Sequence, residues 1–384
     1  MKTDKPIVCA YYFPNWHRNR QNDKWHGKGW TEWEVLKCAR PRFPGHKQPK
    51  IPLWGYEDEA GPAVMGRKIK AASSHGIDGF IFDWYWYKDG PYRNRCLEEG
   101  FLKAPDLENF KFSIMWCNHE AKQVHPGSRM FPAPSLCSGE VSPDTFFKGT
   151  EHCIKHYFSH PNYMRLDGGL YFSIYHLIEM VNNLGGTESA RKIFDDFRSR
   201  VKKAGLGELN LNAVGMEGRT DFPMKTSDNA DGNSESNVDE LVSVLGINSR
   251  SGHGWNKQKY ASSFPFSDYY EFAFKNMGNY EHLSSDYTLP FNPAVCMGWD
   301  VSPRAVQSEV YENVGYPFMP ILSDNSPDEF EKVLQHAKKF MLSEKSTGNM
   351  LLINSWNEWT EGTYIEPDTE YGYAYLEAVK HVFG

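Results

Sequence analysis

Apolar, strand-like runs alternate with helix-like segments along the whole of this chain, and that alternation restricts its fold more than any other feature. Ile7 to Phe13, Gly79 to Trp86, Phe112 to Cys117, Leu170 to Tyr175, Leu209 to Met216, a short stretch near Ile247, Pro293 to Met297 and Met350 to Ile353 read as strands. Between them, Pro62 to Ser74, Arg95 to Leu102, about Ser142 to Phe158, Thr187 to Ala204, Val238 to Leu245, Asp268 to Met277, Ser326 to about Ser343 and Tyr373 to Phe383 have helical spacing or helix start and stop signals. Near-continuous apolar strands separated by helices imply a parallel sheet covered on both faces. Eight such units close most naturally into a (β/α)8 TIM barrel. The competing open, doubly wound sheet calls for a glycine-rich phosphate turn after its first strand, where this chain has Pro14-Asn15-Trp16-His17.

A single barrel domain accounts for residues 1–384, with two long insertions. Residues 15–59 carry Trp16, Trp25, Trp30, Trp33 and Trp54, with prolines and glycines clustered from Pro41 to Gly55. Residues 220–237 are polar and rich in Gly, Asn, Asp and Ser, which predicts a mobile loop. In a barrel, loops after the strands build the rim at the C-terminal face, where chemistry occurs.

The richest strand end is the last. Met350 to Ile353 is followed by Asn354-Ser355-Trp356-Asn357-Glu358-Trp359-Thr360-Glu361-Gly362-Thr363-Tyr364-Ile365-Glu366-Pro367. Two carboxylates three residues apart, set among aromatic rings, suit carbohydrate: ring faces stack on sugars, and paired carboxylates cleave glycosidic bonds. One such group must be a neutral acid and the other ionised, a split that local environment can impose. The plainer reading is that either glutamate caps the following helix or pairs with an arginine. Aromatics make up 15% of the chain, enough both to fill a core and to line a cleft.

Other strand ends add candidates for substrate binding. Tyr11 and Trp16 follow the first strand and Trp30 lies in the insertion; Asp83 and Trp84 end the second strand; His119 follows the third, Tyr175 the fourth and Glu217 the fifth. Trp299, Asp300 and Arg304 follow the seventh, and Trp356, Asn357, Trp359 and Tyr364 the eighth. Asp83 within an aromatic strand would be costly without a partner, either Arg304 or a substrate hydroxyl. Arg304 has Asp300 as an equally plain partner. His119 is read evenly as a ligand contact or a scaffold residue.

The chain resembles the glycoside hydrolase family 99-like, or WbsX-like, proteins. The resemblance rests on Tyr11-Tyr12-Phe13-Pro14-Asn15-Trp16-His17, Gly29-Trp30-Thr31-Glu32-Trp33, Gly76 to Tyr85, Met297-Gly298-Trp299-Asp300 and the motif from Asn354 to Pro367. It implies a (β/α)8 barrel and, by analogy with the retaining endo-α-mannosidases and mannanases of family 99, catalysis by the pair Glu358 and Glu361. By that analogy Glu361 is the general acid/base and Glu358 assists the sugar's own 2-hydroxyl as nucleophile, through an anhydro-sugar. The WbsX-like branch is often described as glycosyltransferases, so a transferase or transglycosylase of polysaccharide assembly is one rival, and a non-catalytic carbohydrate-binding barrel another.

No metal or other cofactor is expected, because HExxH, P-loop and GxSxG patterns are absent. The expected partner is a carbohydrate substrate. A formal charge of −7 argues against nucleic acid, and no apolar run approaches the roughly 20 residues that span a membrane. The seven scattered cysteines suggest no disulfide framework. Met1 to Pro6 shows no apolar signal segment, which as it stands predicts a cytoplasmic protein; had a signal peptide been removed, the location would be periplasmic or extracellular. Oligomeric state is not legible.

Overall fold

A computed structural model describes residues 5–105, 107–215, 221–226, 229–255, 261, 263–285 and 288–384, with the backbone alone described for 221–226 and 229–237. Its centre is a ring of parallel strands: β1 (Ile7–Tyr12), β2 (Gly79–Tyr87), β3 (Lys111–Trp116), β4 (Gly169–Ile174), β5 (Leu209–Val214), β6 (Ser249–Ser251), β7 (Phe291–Asn292 and Ala294–Cys296) and β8 (Met350–Asn354). Each pairs with the next, and β8 returns to β1 with Met350 opposite Ile7. β7 is interrupted at Pro293, which has no N–H for the ladder. Phe291–Asn292 serves β6 and Ala294–Cys296 serves β8, so the ring closes through the proline.

Strand parity sorts the side chains. On β1, Val8, Ala10 and Tyr12 face the helix layer, whereas Cys9 and Tyr11 join Ile81, Tyr85, Met115, Tyr171 and Leu352 inside the barrel. The same period of two on β2 sends Phe82 and Trp84 outward and gives Asp83 the inward parity of Ile81 and Tyr85.

The outer layer consists of α1 (Pro62–Ser73), α2 (Pro143–His156), α3 (Thr187–Lys203), α4 (Val238–Val244), α5 (Tyr269–Met277), α6 (Pro327–Leu342) and α7 (Ala374–Phe383). A π-turn at Cys96–Gly100 and a 3-10 turn at Phe101–Lys103 take the place of a helix between β2 and β3. α2 and α6 start alike: Ser142 and Ser326 accept from the backbone N–H three residues on, at 3.2 and 3.3 Å, with proline next in the chain. All seven cysteines are free thiols. Among the described residues no helix is long and apolar enough to cross a membrane.

The 15–59 insertion contains helices Arg20–His26 and Trp33–Cys38, and Trp16 packs on Trp33 with ring centroids 4.0 Å apart. The polar insertion departs from expectation. Asp221–Thr226 and Asn229–Asn237 form an antiparallel hairpin rather than a loop. An antiparallel ladder satisfies backbone groups with one another, so it needs no apolar alternation to form.

Gly79 begins β2 where a Cβ would lie 2.5 Å from the carbonyl oxygen of Lys111 on β3. Gly79→Ala should therefore lower stability by ~1–3 kcal/mol, since backbone cannot yield as a flexible side chain can. A denaturant midpoint equal to wild type would contradict so close an approach of β2 and β3.

Candidate active site

The turn after β8 places the glutamate pair. Asn357–Glu358 pairs antiparallel with Thr363–Tyr364, and a 3-10 turn, Trp359–Glu361, joins the two short strands. In a 3-10 turn side chains three apart eclipse one another, so Glu358 and Glu361 project to the same side. Gly362 closes the turn at φ +61°, and a Cβ there would come within 2.7 Å of Asp300. The Asp300 N–H donates to the Glu361 carbonyl at 2.7 Å, tying this hairpin to the loop after β7.

That second loop supplies Arg304. Its 3-10 turn, Ser302–Arg304, is capped by the Asp300 carboxylate, which accepts from the Ser302 N–H at 3.0 Å. The Arg304 guanidinium is buried among three carboxylates: Glu32 at 3.0 Å, Glu358 at 3.0 Å and Glu361 at 2.5 Å. It also donates to Tyr316 at 2.7 Å and Thr360 at 2.8 Å. Glu32, from the first insertion, takes a hydrogen bond from Asn15 at 2.6 Å and has His125 Nε2 at 3.3 Å. Burial would raise the Glu32 pKa, but His125 and Arg304 hold it well below the usual carboxylate value. Glu358 goes the other way: burial pushes its pKa well above the ordinary value, and the charges of Glu361, Glu32 and Asp83 add to the rise. The two glutamates both pair with an arginine, as the plainer sequence reading anticipated, yet their carboxylates also line an open cavity.

This cavity, about 410 Å³, lies at the C-terminal mouth of the barrel and is bordered by Asp83, His119, Tyr175, Trp299, Arg304, Glu358 and Glu361. Asp83 does not hold Arg304. Its Oδ1 has no hydrogen-bond partner, and burial raises its pKa to about 8. Nor does Asp300 pair with Arg304; its Oδ2 accepts from Gln48 at 2.7 Å and sits 2.8 Å from His46 Nε2. Burial lowers the pKa of His119 to about 4, leaving a neutral ring at the wall.

The remaining expected binders stand behind the cavity. Trp16, Trp356 and Trp359 are wholly buried, Trp84 nearly so, and Asn357 and Tyr364 lie with them. Internal acceptors hold the polar atoms of four of them: Trp16 Nε1 donates to the Asn357 carbonyl, Trp84 Nε1 to Tyr157, Trp359 Nε1 to Glu366 and Tyr364 Oη to Asp368, whereas Trp356 Nε1 is buried without a hydrogen-bond partner. Asn357 bonds both the N–H and the carbonyl of Phe13, fastening the hairpin to the end of β1. Tyr11 donates to Gly252 across the barrel at 2.8 Å. None of these side chains borders the cavity; Tyr364 borders a neighbouring one with Trp299 and Asp300. Trp30 stacks on His26 at 4.1 Å, beside a neighbouring groove that it shares with His125. Glu217 lies outside the described residues.

Behind the hairpin sits a buried ion cluster. Lys68 on α1 bridges Glu59 at 2.5 Å and Glu366 at 2.6 Å; Glu59 in turn accepts from Asn357, and Glu366 from Trp359. Residues on either side of Glu358 are thus held from below by one ammonium. Glu32, Arg93, His125 and Tyr316 belong to the site although the sequence did not single them out. Only Glu32 had a visible signal, as the acid of Gly29-Trp30-Thr31-Glu32-Trp33.

Residues 8–379 match the family model described as "Glycosyltransferase WbsX". The chain belongs to the WbsX family. An uncharacterized protein, WxcX, of Xanthomonas campestris pv. campestris strain B100 is 26% identical over 377 residues, covering 97% of this chain and 49% of that protein. The chain therefore spans about half the length of the curated relatives it matches. Among solved structures, a family 99 endo-α-mannosidase from Bacteroides thetaiotaomicron is similar at a TM-score of 0.56 and 15% identity, covering 97% of this chain and 95% of its own. A "glycoside hydrolase-like protein" gives a TM-score of 0.59 at 14% identity, over 100% and 95% of the two chains. A β-glucosidase from Trichoderma harzianum gives 0.51 at 9% identity, over 100% and 97%. These likenesses establish the (β/α)8 barrel fold of this WbsX-family chain.

Protonated Asp83 makes a testable demand. Its pKa rises from 3.8 to about 8 on folding, so the folded state holds a proton that the unfolded state releases across that interval. Stability should fall as pH rises from about 4 to about 8, at up to ~1.4 kcal/mol per pH unit from this group. Asp83→Asn should remove that slope and gain on wild type toward pH 8. Denaturant titrations of both proteins at pH 5 and 8 would reveal it, and a variant stability, measured relative to wild type, that stays level or falls between pH 5 and pH 8 would contradict a buried acid at Asp83.

Proposed function

We propose that this chain is a glycan-processing enzyme, and that it acts as a retaining glycoside hydrolase through Glu358 and Glu361. The observation that carries this reading is the placement of two carboxylates, three residues apart on one turn, against a single guanidinium at the mouth of a barrel cavity. Glycosidic cleavage needs a proton delivered to the leaving oxygen and a negative group near the anomeric carbon. In this reading Glu361 gives the proton and later takes one from water. Glu358 takes the proton of the sugar's 2-hydroxyl, whose oxygen closes on the anomeric carbon as the leaving group departs. Water, giving its proton to Glu361, then attacks the anomeric carbon and reopens the anhydro-sugar with net retention while Glu358 returns its proton to the 2-oxygen. In its ionised form Glu358, with a raised pKa, is a stronger base toward a hydroxyl proton than an ordinary carboxylate. Arg304 keeps both groups in register. α-Mannosides are the first substrates to try, because the similar Bacteroides protein is an endo-α-mannosidase.

The family's description as a glycosyltransferase supports a second reading, in which an acceptor hydroxyl takes the place of water. Purified protein incubated with α- and β-linked oligosaccharides, α-mannans and rhamnose-containing polysaccharides separates the two by chromatography. Shorter products mark a hydrolase; lengthened products mark a transglycosylase. Glu361→Gln and Glu358→Gln should each lower kcat/KM by about 10²-fold or more. Full activity in either variant would remove that residue from the mechanism. Tight sugar binding with no turnover in wild type or variants would leave a binding protein.

A further inference from the structure

The cavity holds a second arginine that the glycosidic chemistry does not use. Arg93 follows the short strand Gly90–Tyr92, which folds back antiparallel on the end of β2 with Tyr92 opposite Tyr85. That turn carries Arg93 over the cavity, where it lines the wall. Arg93 is only 8% exposed. Aromatic rings surround the guanidinium: Phe13, Tyr85 and Tyr92 each lie 4.7 Å from it. Among the described residues no carboxylate comes within ion-pair distance of Arg93, and its Nε has no hydrogen-bond partner. The backbone at Arg93 has φ +61°, a left-handed conformation that a long side chain seldom adopts.

A buried cation without an anion is costly, and buried N–H groups without acceptors add to that cost. Ring faces stabilise the charge from above and below. The faces do not take the N–H bonds, which lie in the guanidinium plane and require oxygen lone pairs along that plane; the Tyr92 hydroxyl interacts with the guanidinium, and Nε is left without a partner. The carboxylates across the cavity do not supply them either, since Glu32, Glu358 and Glu361 are gathered on Arg304. A strained, aromatic-caged guanidinium with no carboxylate at ion-pair distance among the described residues therefore faces a sugar-sized cavity and suits an anion.

The geometry points to a substrate that carries a carboxylate, a hexuronic acid unit of a polysaccharide, seated with that carboxylate on Arg93. A planar carboxylate matches the paired donors of a guanidinium in a way that a hydroxymethyl group does not. The nearby walls are compatible: Asp83 stays protonated at neutral pH and donates rather than repels, and His26 and His119, both near pKa 4, are neutral. This inference deepens the glycan-processing reading and rests on it for the sugar, but its test reads binding alone.

The experiment is calorimetric titration at low ionic strength with the methyl glycosides of glucuronic, galacturonic and mannuronic acid, each against its neutral methyl hexoside and the 6-sulfated hexoside. The proteins are wild type, Arg93→Gln and Arg93→Lys. At least one uronoside should bind wild type about ten-fold or more tighter than its neutral partner, the scale of a charge-assisted pair. Arg93→Gln should bring the pair to within about two-fold. Arg93→Lys, which keeps the charge and loses the paired donors, should lie between, and this variant serves if Arg93→Gln does not fold. No uronoside preference in wild type, including no binding at all, overturns the proposal, as does a preference that survives in Arg93→Gln or equals wild type in Arg93→Lys. Stronger binding of the sulfated hexosides overturns the carboxylate assignment. Because no turnover is required, a failed hydrolysis screen beside a clear Arg93-dependent preference would count against the hydrolase reading alone.

Discussion

One guanidinium organises the mouth of this barrel. Arg304 lies among Glu32, Glu358 and Glu361, which come from the first insertion and from the turn after β8, while Arg304 itself follows β7. Three carboxylates around one cation leave an excess of negative charge in a buried place, which raises the cost of ionising them. The surroundings spread that cost unevenly: Glu32 has His125 and Arg304 to keep it ionised, whereas burial and its acidic neighbours push the pKa of Glu358 up and make its anion the stronger base. The same ion cluster that holds three chain segments together therefore differentiates two chemically identical side chains. Removing Arg304 would abandon three buried carboxylates at once, so its contribution to folding and to chemistry cannot be separated by deletion alone.

Much of the fold was legible because a barrel strand must be covered on both sides. Apolar runs beginning at Ile7, Gly79, Phe112, Leu170, Leu209 and Met350 read as strands between helices, and the barrel has a strand at each. The short strands were less visible: Ser249–Ser251 has polar side chains, and β7 is divided by Pro293. The pairing of Asp221–Thr226 with Asn229–Asn237 was hidden because Asn229–Asn237 is almost wholly polar and offers no apolar alternation.

The site was legible where spacing alone carries meaning. Glu358 and Glu361 announce themselves by a separation that a tight turn makes eclipsed. Aromatics misled for a physical reason: an indole satisfies a core as well as a sugar, so Trp16, Trp84, Trp356 and Trp359 at strand ends proved to be packing. Parity offered a clue, since Trp84 alternates with the inward Asp83 and Tyr85. The partners of Arg304 and the exposure of Arg93 to the cavity depend on contacts between distant loops, and a period of two or three along the chain says nothing about those.

Gly362 and Asp300 are close enough that neither loop has a shape of its own. The turn after β8 fits only because glycine clears the Asp300 backbone, and Asp300 is placed by His46 and Gln48 from yet another segment. The heritable unit here is accordingly the set of three loops rather than the short acidic motif. A designer who moved residues 354–367 onto a foreign barrel would import two glutamates without the surface that shapes them. Recombination that cut between residues 298–304 and that hairpin would be expected to leave a stable barrel with a mute mouth.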